Sequence, residues 1–426
     1  MADNGDWDRR SLLRGAAVLA GAAATAPLLG EAAMAQAGSG DADALFKAGK
    51  FEQAGRAYEE ILKTDPKNLH AARRRGYVGL LANQFPDAEK YLKVAIELAP
   101  DDKEANRFLA DCYTRQDKLS LAAPRWQAAG EEGYAKWFAA VRGEPYQIHG
   151  DLARVPWQQM DPRPLVAASL NGGPPKSLSF YTRVPSLQVS GKAAEEAGLR
   201  AVAEERFEYE GKTITSYYGV LDSFKLGGIE LRNIPVGWSD AEDGPESADG
   251  LIGTWILYHF LTTIDYAGRS LILRRRTPET ARKARAAAKK PLPLWMAPEH
   301  LLFSRGSVAG SGTRVVALNI GGESEMAVSM TEETARQLRI RTDYDRPIET
   351  SAGGQFLTAY PCYPKEVRLG DAAANDLYCY ADKRPGGPGR EGFDVLANFS
   401  HSFFKPYNVT LDFTGMNVYI ARGKAA

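Results

Sequence analysis

A repeat with a period of 34 residues constrains the first third of this chain more than any other feature. The segments GKFEQAGRAYEEILKTDP, NQFPDAEKYLKVAIELAP and DKLSLAAPRWQAAGEEG align, and four registers keep the same step. These registers are Phe51, Phe85 and Leu119; Ala54, Ala88 and Ala122; Tyr58, Leu92 and Trp126; and Pro66 with Pro100. A proline just past a helix ends it, and one helix pair is too small to bury its own apolar face. The period therefore predicts a stack of helix pairs.

The repeat resembles the tetratricopeptide repeat, a helix–turn–helix unit. We assign residues 40–138 to three such units, which is about the smallest number that is stable as a stack. The resemblance implies a surface that binds a peptide or a neighbouring domain. With only three units, packing against the rest of the chain is as much expected as binding of a free partner.

The first 35 residues have the composition of an export signal. A charged start, DRRSLLRG, precedes the apolar stretch AAVLAGAAATAPLLG, and small-x-small sites allow cleavage after Ala35 or Ala37. The pair Arg9-Arg10 resembles a bacterial twin-arginine signal. We predict a signal peptide at 1–35 and a periplasmic mature protein without a membrane span, because the apolar core is shorter than the ~20 residues that a span needs. An ordinary secretory signal or an uncleaved anchor are the alternatives.

Composition limits the partners and cofactors of the chain. Its formal net charge is zero, which gives no argument for nucleic acid as a partner. The cysteines Cys112, Cys362 and Cys379 lack CxxC spacing, and the five histidines lie in five different contexts. We therefore predict no metal and no cofactor. A Cys362–Cys379 disulfide is possible in an oxidising compartment, but we favour buried free thiols.

The periodicity changes to two after residue 163, with short β-branched and aromatic runs between turns. A weak repeat aligns LQVSGKAAEEAGLR (187–200) with MAVSMTEETARQLR (326–339), at an offset of 139 that matches Ser190 with Ser329. Both halves end with two apolar residues and a small one, a short helix, and a closing hairpin that carries Asp265 or Asp412, which we interpret as structural hydrogen-bond acceptors. The pattern predicts a duplicated β domain.

The order of these elements resembles the retropepsin-like and pepsin-like aspartyl protease fold. Leu251-Ile252-Gly253 is the most specific piece in the first half, and we take Val395-Leu396-Ala397 as its counterpart in the second. The predicted fold class is multidomain, with an N-terminal α-helical repeat followed by a mainly-β, two-lobed aspartyl-protease-like domain. The alternative is an unrelated all-β sandwich duplicated in tandem.

The domain boundaries follow from these patterns. The lobes are placed at 163–276 and 307–424, joined to the repeats by a linker at 139–162 and to each other by a linker at 277–306. The basic run RRRTPETARKARAAAKKPLP at 274–293 overlaps the second linker. We interpret it as a solvated linker helix, and contact with an anionic partner is the alternative.

The resemblance implies a pair of aspartates that share a proton, one from an Asp-Thr-Gly loop in each lobe. No Asp-Thr-Gly or Asp-Ser-Gly occurs in the chain. The motif positions hold Tyr181-Thr182-Arg183 in the first lobe; in the second, the offset points to Ile320, and a shift of one residue gives Asn319-Ile320-Gly321. A phenol with a pKa near ~10 is neutral at pH 7, and an amide cannot take a proton from water. We therefore predict no catalytic residues at these degenerate positions.

The sequence favours an exported pseudoenzyme that binds an extended peptide or a protein ligand in a protease-like cleft. Tyr181, Arg183 and Asn319 are the predicted binding residues, and a phenol with a guanidinium favours a ligand that carries a carboxylate or an aromatic ring. Two alternatives remain. One is an active aspartic-type peptidase with an unrecognised pair, such as Asp222 with Asp394, and the other is a periplasmic adaptor that binds through its repeats.

Overall fold

The computed structural model describes residues 36–209, 212–241, 248–287, 290–322, 326–352, 355–384 and 389–423. The predicted signal peptide at 1–35 lies outside these residues. Within them, helices precede residue 141 and a mainly-β region follows, in the predicted order.

The helical region contains three helix pairs and one further helix. The helices are α1 (Gln36–Lys47), α2 (Phe51–Thr64), α3 (Leu69–Leu81), α4 (Phe85–Leu98), α5 (Lys103–Thr114), α6 (Leu119–Ala129) and α7 (Glu132–Ala140). The side chains of Asn68 and Asp102 cap α3 and α5 by accepting a backbone N–H in the first turn. A Cβ at Gly76 would lie 2.5 Å from Cγ of Leu92, so the missing side chain lets α3 and α4 pack closely.

The first lobe consists of strands and two short helices. They are β1 (Gln147–His149), β2 (Leu152–Gln159), β3 (Leu165–Leu170), β4 (Lys176–Phe180), β5 (Leu187–Val189), α8 (Gly191–Glu196), β6 (Ala203–Tyr209), β7 (Lys212–Leu226), β8 (Ile229–Ser239), β9 (Gly250–Ile252), α9 (Thr254–Tyr258), β10 (Phe260–Asp265) and β11 (Ser270–Arg275). Apolar side chains of β7 and β8 alternate into the core, as in a half-buried antiparallel ribbon.

The second lobe follows a connecting helix. The elements are α10 (Pro278–Ala287), β12 (Leu292–Pro293), β13 (Trp295–Ala297), a 3₁₀ turn (Pro298–His300), β14 (Leu301–Val308), β15 (Arg314–Asn319), β16 (Val328–Thr331), α11 (Glu332–Gln337), β17 (Arg341–Thr342), β18 (Ile348–Ala352), β19 (Gln355–Tyr363), β20 (Val367–Leu369), β21 (Ala372–Ala374), β22 (Cys379–Asp382), β23 (Asn398–Ser400), α12 (His401–Phe404), β24 (Tyr407–Asp412) and β25 (Asn417–Arg422). Cys362 and Cys379 lie opposite each other on β19 and β22 as buried free thiols.

Six strands in the order β2-β11-β10-β24-β25-β12 join the lobes into one sheet. Its centre is the pairing of β10 with β24, where the hydroxyls of Thr263 and Thr410 lie 2.7 Å apart. The order is the same in both directions from this pair, so an approximate twofold axis passes through it. Asp265 accepts from the N–H of Gly268, and Asp412 accepts from the N–H of Gly415, so both aspartates close their hairpin turns as expected.

The segments predicted as linkers contribute to the lobes. In 139–162, β2 pairs with β11, and in 277–306, β14 pairs with β15. The basic run forms α10, whose side chains are largely exposed. Strands at both ends of a lobe pair with strands inside it because an unpaired backbone in a sheet would lose its hydrogen bonds.

The repeats and the lobes share one buried apolar cluster. Arg115, at the end of α5, has no exposed side-chain surface, and its guanidinium donates to the carbonyls of Leu80, Met296 and Ala297. Phe51 packs edge-on against Trp295, with 5.0 Å between ring centroids. The repeat stack is therefore packed against the segment that connects the two lobes.

Candidate functional site

The predicted loop of the first lobe is held in place by backbone bonds. It follows β4, which runs parallel to β9 with Phe180 opposite Ile252. The N–H of Tyr181 donates to the carbonyl of Ile252 over 3.1 Å, and the hydroxyl of Thr254 lies 3.3 Å from the carbonyl of Thr182. A Cβ on Gly253 would lie 2.2 Å from the carbonyl oxygen of Ser186, so only glycine fits beneath this loop.

The same pairing in the second lobe determines which residue corresponds to Tyr181. There β15 runs parallel to β23, and Leu318 lies opposite Phe399 as Phe180 lies opposite Ile252. Asn319 therefore occupies the position of Tyr181, and the shifted frame Asn319-Ile320-Gly321 is the structural counterpart of Tyr181-Thr182-Arg183.

Two details of the predicted alignment are wrong. By the same pairing, Ser400 corresponds to Gly253, whereas Val395-Leu396-Ala397 precedes β23. Ser190 caps α8 and Thr331 caps α11, so Thr331, and not Ser329, corresponds to Ser190. The physical reason is a longer connection in the second lobe, which a constant offset cannot represent.

Thr182 connects the two loops across the twofold axis. Its hydroxyl donates to the carbonyl of Leu318 over 3.0 Å and accepts from the N–H of Ile320 over 2.9 Å. Its own N–H donates to the carbonyl of Ile320 over 3.1 Å. Ile320 has no hydroxyl, so the equivalent side-chain bridge from the second lobe cannot form. One threonine thus holds both loops together.

Tyr181 does not form an open floor for a ligand. It is 4% exposed, and its ring packs against Gly322 of the second lobe, where a Cβ would lie 2.3 Å from Cε2 of the tyrosine. The predicted role of Tyr181 as a ligand contact does not agree with this burial, because its ring fills space between the lobes. The absence of a side chain at Gly322 makes room for it.

Asn319 is half-buried, and its Oδ1 has no hydrogen-bond partner among the described residues. Gly321, two residues later, has φ of +84°, and a Cβ there would lie 2.2 Å from the carbonyl oxygen of Phe180. The loop therefore requires glycine for both its backbone conformation and its contact with the first lobe. The amide of Asn319 remains able to accept a hydrogen bond.

Arg183 borders a cavity of about 180 Å³ that extends into the second lobe. Across the described part of the chain, Arg183 forms no ion pair, and its buried Nε lacks an acceptor. Arg384 and Glu391 also line the cavity, and Nε of Arg384 donates to Asp382 over 2.7 Å. The cavity thus contains an unpaired guanidinium, a paired guanidinium and a carboxylate.

Sequence analysis missed Arg384 and Glu391. They lie in ADKRPGGPGREG, where glycines and prolines obscure any helix or strand period, and 385–388 lie outside the described residues. The interrupted charges Arg384, Arg390 and Glu391 are the signal that could have identified them.

The alternative catalytic pair does not come together. Asp222 is exposed on β7, and the backbone N–H of Asp394 donates to the carbonyl of Lys47 in the helical repeats. No hydrogen bond joins the two side chains within the described residues. Glu391 is the one carboxylate on the described wall of the Arg183 cavity, so proton sharing between two acids has no second member there.

A second group of ionisable residues lies where the repeats meet the lobes. Asp111 forms an ion pair with Arg115, and His300 Nε2 lies 3.6 Å from Oδ1 of Asp111. Burial raises the pKa of Glu299 to about 7 and lowers the pKa of His300 to about 4. Both residues have positive φ. The sequence gave no sign of this group, because its members are distant along the chain.

Comparison with known proteins agrees with both parts of the fold. The family model described as Tetratricopeptide repeat matches residues 39–102 and 80–136, and the model described as Aspartyl protease matches residues 166–255. The chain therefore carries tetratricopeptide repeats followed by an aspartyl-protease-like domain, a protein-interaction module on a protease-like fold. The repeats point to protein partners.

Similarity to individual proteins is weak. No curated protein matches the chain. Among solved structures, it is similar to a mutant of the O-GlcNAc transferase of Thermobaculum terrenum, with 19% identity and a TM-score of 0.23. The match covers 25% of this chain and 20% of that chain.

The described residues include no helix that is long and apolar enough to cross a membrane. They also include no group of three or more histidine, cysteine, aspartate or glutamate residues arranged to hold a metal ion.

Proposed function

We propose that this protein is an exported, proteolytically inactive binding protein that holds an extended peptide or a protein segment between its lobes. One observation carries the proposal: Tyr181 and Asn319 occupy the equivalent positions at which an aspartic peptidase needs two carboxyl groups. Neither side chain accepts a proton from water at neutral pH, so the shared-proton mechanism lacks both of its members.

The anchoring of the loops supports this proposal. Thr182 fixes the register between the lobes through three hydrogen bonds to Leu318 and Ile320. A neighbouring acid could replace a missing one only if the loops moved, and such movement would break these buried bonds. The loss of one general acid or base typically lowers a rate by ~10²–10⁴-fold.

The cavity beside Arg183 supports binding of a carboxylate. A half-buried guanidinium without an acidic partner is costly to keep out of water, and a carboxylate forms paired, charge-assisted hydrogen bonds with it. A peptide that ends in the cavity, or that places an acidic side chain there, would supply this group. Asn319 Oδ1 would accept a hydrogen bond from the same ligand.

Export is part of the proposal and rests on the sequence alone. Arg9 and Arg10 precede an apolar stretch and a small-x-small site. If these arginines direct export, replacing both with lysine will leave the precursor in the cytoplasm, as cell fractionation would detect. Unchanged processing and location would argue for a different signal.

The activity test uses the purified full chain with casein and a mixed-peptide digest between pH 3 and 7, with and without pepstatin. We expect no cleavage above that of a buffer control. Cleavage that pepstatin suppresses would overturn the proposal and identify an active aspartic-type peptidase.

The binding test compares two peptide pools that differ only at the C-terminus, one with a free carboxylate and one with an amide. We expect retention of the free-acid pool and its loss in Arg183→Ala. Arg314→Ala is the matched control, because Arg314 is exposed on β15 and lies outside the cavity. Equal retention by all three proteins would exclude the cavity as the binding site.

A further inference from the structure

A second and larger cavity lies on the opposite side of the interlobe sheet. It has a volume of about 820 Å³ and is bounded by the sheet, by α10 and by the β20–β21 hairpin. This volume lies in the ~300–1,000 Å³ range of small-molecule sites. It has no role in the proposed peptide site, because Arg183 and Asn319 are not among its lining residues. We call it the sheet–helix groove.

The floor of the groove is one face of the interlobe sheet. Strand register places Leu261, Thr263, Thr410 and Tyr419 on that face, because Leu261 and Thr263 are two residues apart, Thr263 pairs with Thr410, and Thr410 pairs with Tyr419. The other face is covered by the cores of the lobes. The Thr263 and Thr410 hydroxyls bond each other, which leaves their methyl groups and the neighbouring apolar side chains to meet an occupant.

The walls of the groove carry an excess of positive charge. Its charged lining residues are Arg274, Lys283, Lys290 and Arg422, against one carboxylate, Asp371. Lys290 lies 3.7 Å from Asp371, and Lys283 pairs with Glu279 on its own helix.

Arg274 and Arg422 have no acidic partner within the described chain. Arg274 is also half-buried and projects from the sheet beside Leu261. Cations with no acidic partner above an apolar floor are complementary to a molecule with the opposite arrangement.

We propose that the sheet–helix groove binds an anionic amphiphile, a molecule with an acyl-like apolar body and a single carboxylate head group. The body lies on Leu261, Tyr419 and Ile420, and Ala284 of α10 covers it. The head group bonds Arg274, whose planar guanidinium can donate two parallel hydrogen bonds to a carboxylate.

The chemistry of the groove favours this ligand class over others. A purely ionic ligand would leave the apolar floor in contact with water, and a neutral lipid would leave Arg274 without a partner. The Oδ1 atom of Asn408 is buried in the lining without a hydrogen-bond partner among the described residues. A hydroxyl or protonated group on the ligand would satisfy it. The basic run of the sequence thus forms one wall of a site, in addition to connecting the lobes.

The test is isothermal titration of the purified full chain with four probes, all kept below their micelle concentrations. The probes are dodecanoate, dodecyl phosphate, dodecyltrimethylammonium and acetate. We expect one dodecanoate per chain, binding at least about tenfold weaker for the cationic amphiphile, and no heat for acetate. Equal affinity for the two opposite head charges, or no binding of dodecanoate, would overturn the proposal. Tighter binding of dodecyl phosphate than of dodecanoate would overturn the choice of a carboxylate head.

Three variants locate the site. Arg274→Gln should weaken dodecanoate binding at least about tenfold, and Ala284→Trp should abolish it by filling the groove. Arg282→Gln is the matched control, since this arginine is exposed on the same helix but does not line the groove. Full affinity in both Arg274→Gln and Ala284→Trp would overturn the assignment.

Circular dichroism establishes that each variant is folded. If Ala284→Trp does not fold, Arg274→Gln alone decides. Arg183→Ala should bind dodecanoate like the parent chain, which separates this site from the interlobe cavity.

Discussion

The two lobes follow the same chain path but have different residues where they meet. Matched by strand pairing, first lobe before second, the positions are Tyr181 and Asn319, Thr182 and Ile320, Gly253 and Ser400, and Thr254 and His401. In the first lobe these residues hold the loop tightly: the hydroxyls of Thr182 and Thr254 bond carbonyls, and Gly253 leaves no space beneath.

The second lobe is less tightly bonded at the same positions. Asn319 has an unpaired amide oxygen, Ile320 lacks a hydroxyl, Ser400 has room for its side chain, and the cavity beside Arg183 extends to this side. We infer that the first lobe provides the anchoring and the second provides space for a ligand. A symmetric peptidase needs the same chemistry from both lobes, whereas a binding protein has no such requirement.

The largest expected effect is at the tightly packed glycine. In Gly253→Ser, the new Cβ would meet the carbonyl oxygens of Ser186, Pro185 and Val184 at 2.2, 2.5 and 2.6 Å. We expect a loss of more than about 4 kcal/mol in the free energy of unfolding, measured by urea denaturation.

The reverse change in the second lobe, Ser400→Gly, should cost only about 1–2 kcal/mol, through lost hydrogen bonds and added backbone freedom. Similar costs for the two variants would remove the contrast in packing between the lobes.

The next effect concerns the threonine bridge. Thr182→Val keeps the shape of the side chain but leaves the Leu318 carbonyl and the Ile320 N–H without a partner. Since each unpaired buried group costs about 1–3 kcal/mol, we expect a loss of about 2–4 kcal/mol in the free energy of unfolding.

The control is Thr182→Ser, which retains the hydroxyl and should lose about 1 kcal/mol for the deleted methyl group. A valine variant as stable as the serine variant would show that the bridge does not hold the loops together.

A third prediction uses the histidine of the second lobe. Burial, helped by the charge of Lys405, lowers the pKa of His401 to about 4, and the Tyr266 hydroxyl lies 3.1 Å from its Nδ1. The unfolded chain, with a histidine pKa near ~6.5, binds the proton more readily. His401 therefore contributes stability above pH ~6.5 that is lost as the pH falls towards 4, by about 1–3 kcal/mol.

The measurement is urea denaturation at several pH values between 4 and 7.5, for the parent chain and for His401→Gln. The parent should lose more stability than the variant as the pH falls. Thr254, at the matching position, does not titrate, so this acid sensitivity belongs to the second lobe. Parallel pH profiles for the two proteins would contradict the assignment.

The smallest effect is expected at Asn319. Because its Oδ1 atom is buried without a described partner, Asn319→Leu removes an unsatisfied acceptor and should change the free energy of unfolding by less than about 1 kcal/mol. The same variant should weaken retention of the free-acid peptide pool if the amide contacts the ligand. A loss of several kcal/mol would show that Asn319 supports the loop as firmly as Thr182 does.

The periodic parts of the molecule could be predicted from the sequence. The step of 34 residues gave the helix pairs, and the shared order of elements gave the two lobes and the opposing loops. Each of these depends on a pattern that repeats along the chain.

The register of the second lobe could not be predicted in the same way. Asn319 and Ser329 are ten residues apart, whereas Tyr181 and Gln188, at matching positions, are seven apart. An alignment with one fixed offset therefore misplaced the Gly253 counterpart, although the shift by one residue at Asn319 was the correct frame.

Contacts between distant segments were also beyond prediction. The burial of Tyr181 depends on Gly322 in the other lobe, and the cavity beside Arg183 depends on Arg384 and Glu391, which lie about 200 residues further along the chain. No local pattern indicates which side chains will meet when two lobes close on each other.

The position of Arg115 has a consequence for motion. Two-lobed clefts commonly admit ligands by hinging, and the hinge here would be the segment around Met296 and Ala297, whose carbonyls Arg115 binds. Rocking of one lobe against the other would tear a charged group from its acceptors in a dry interior. The cleft should therefore keep a constant width, and entry would depend on surface loops opening while the scaffold stays rigid.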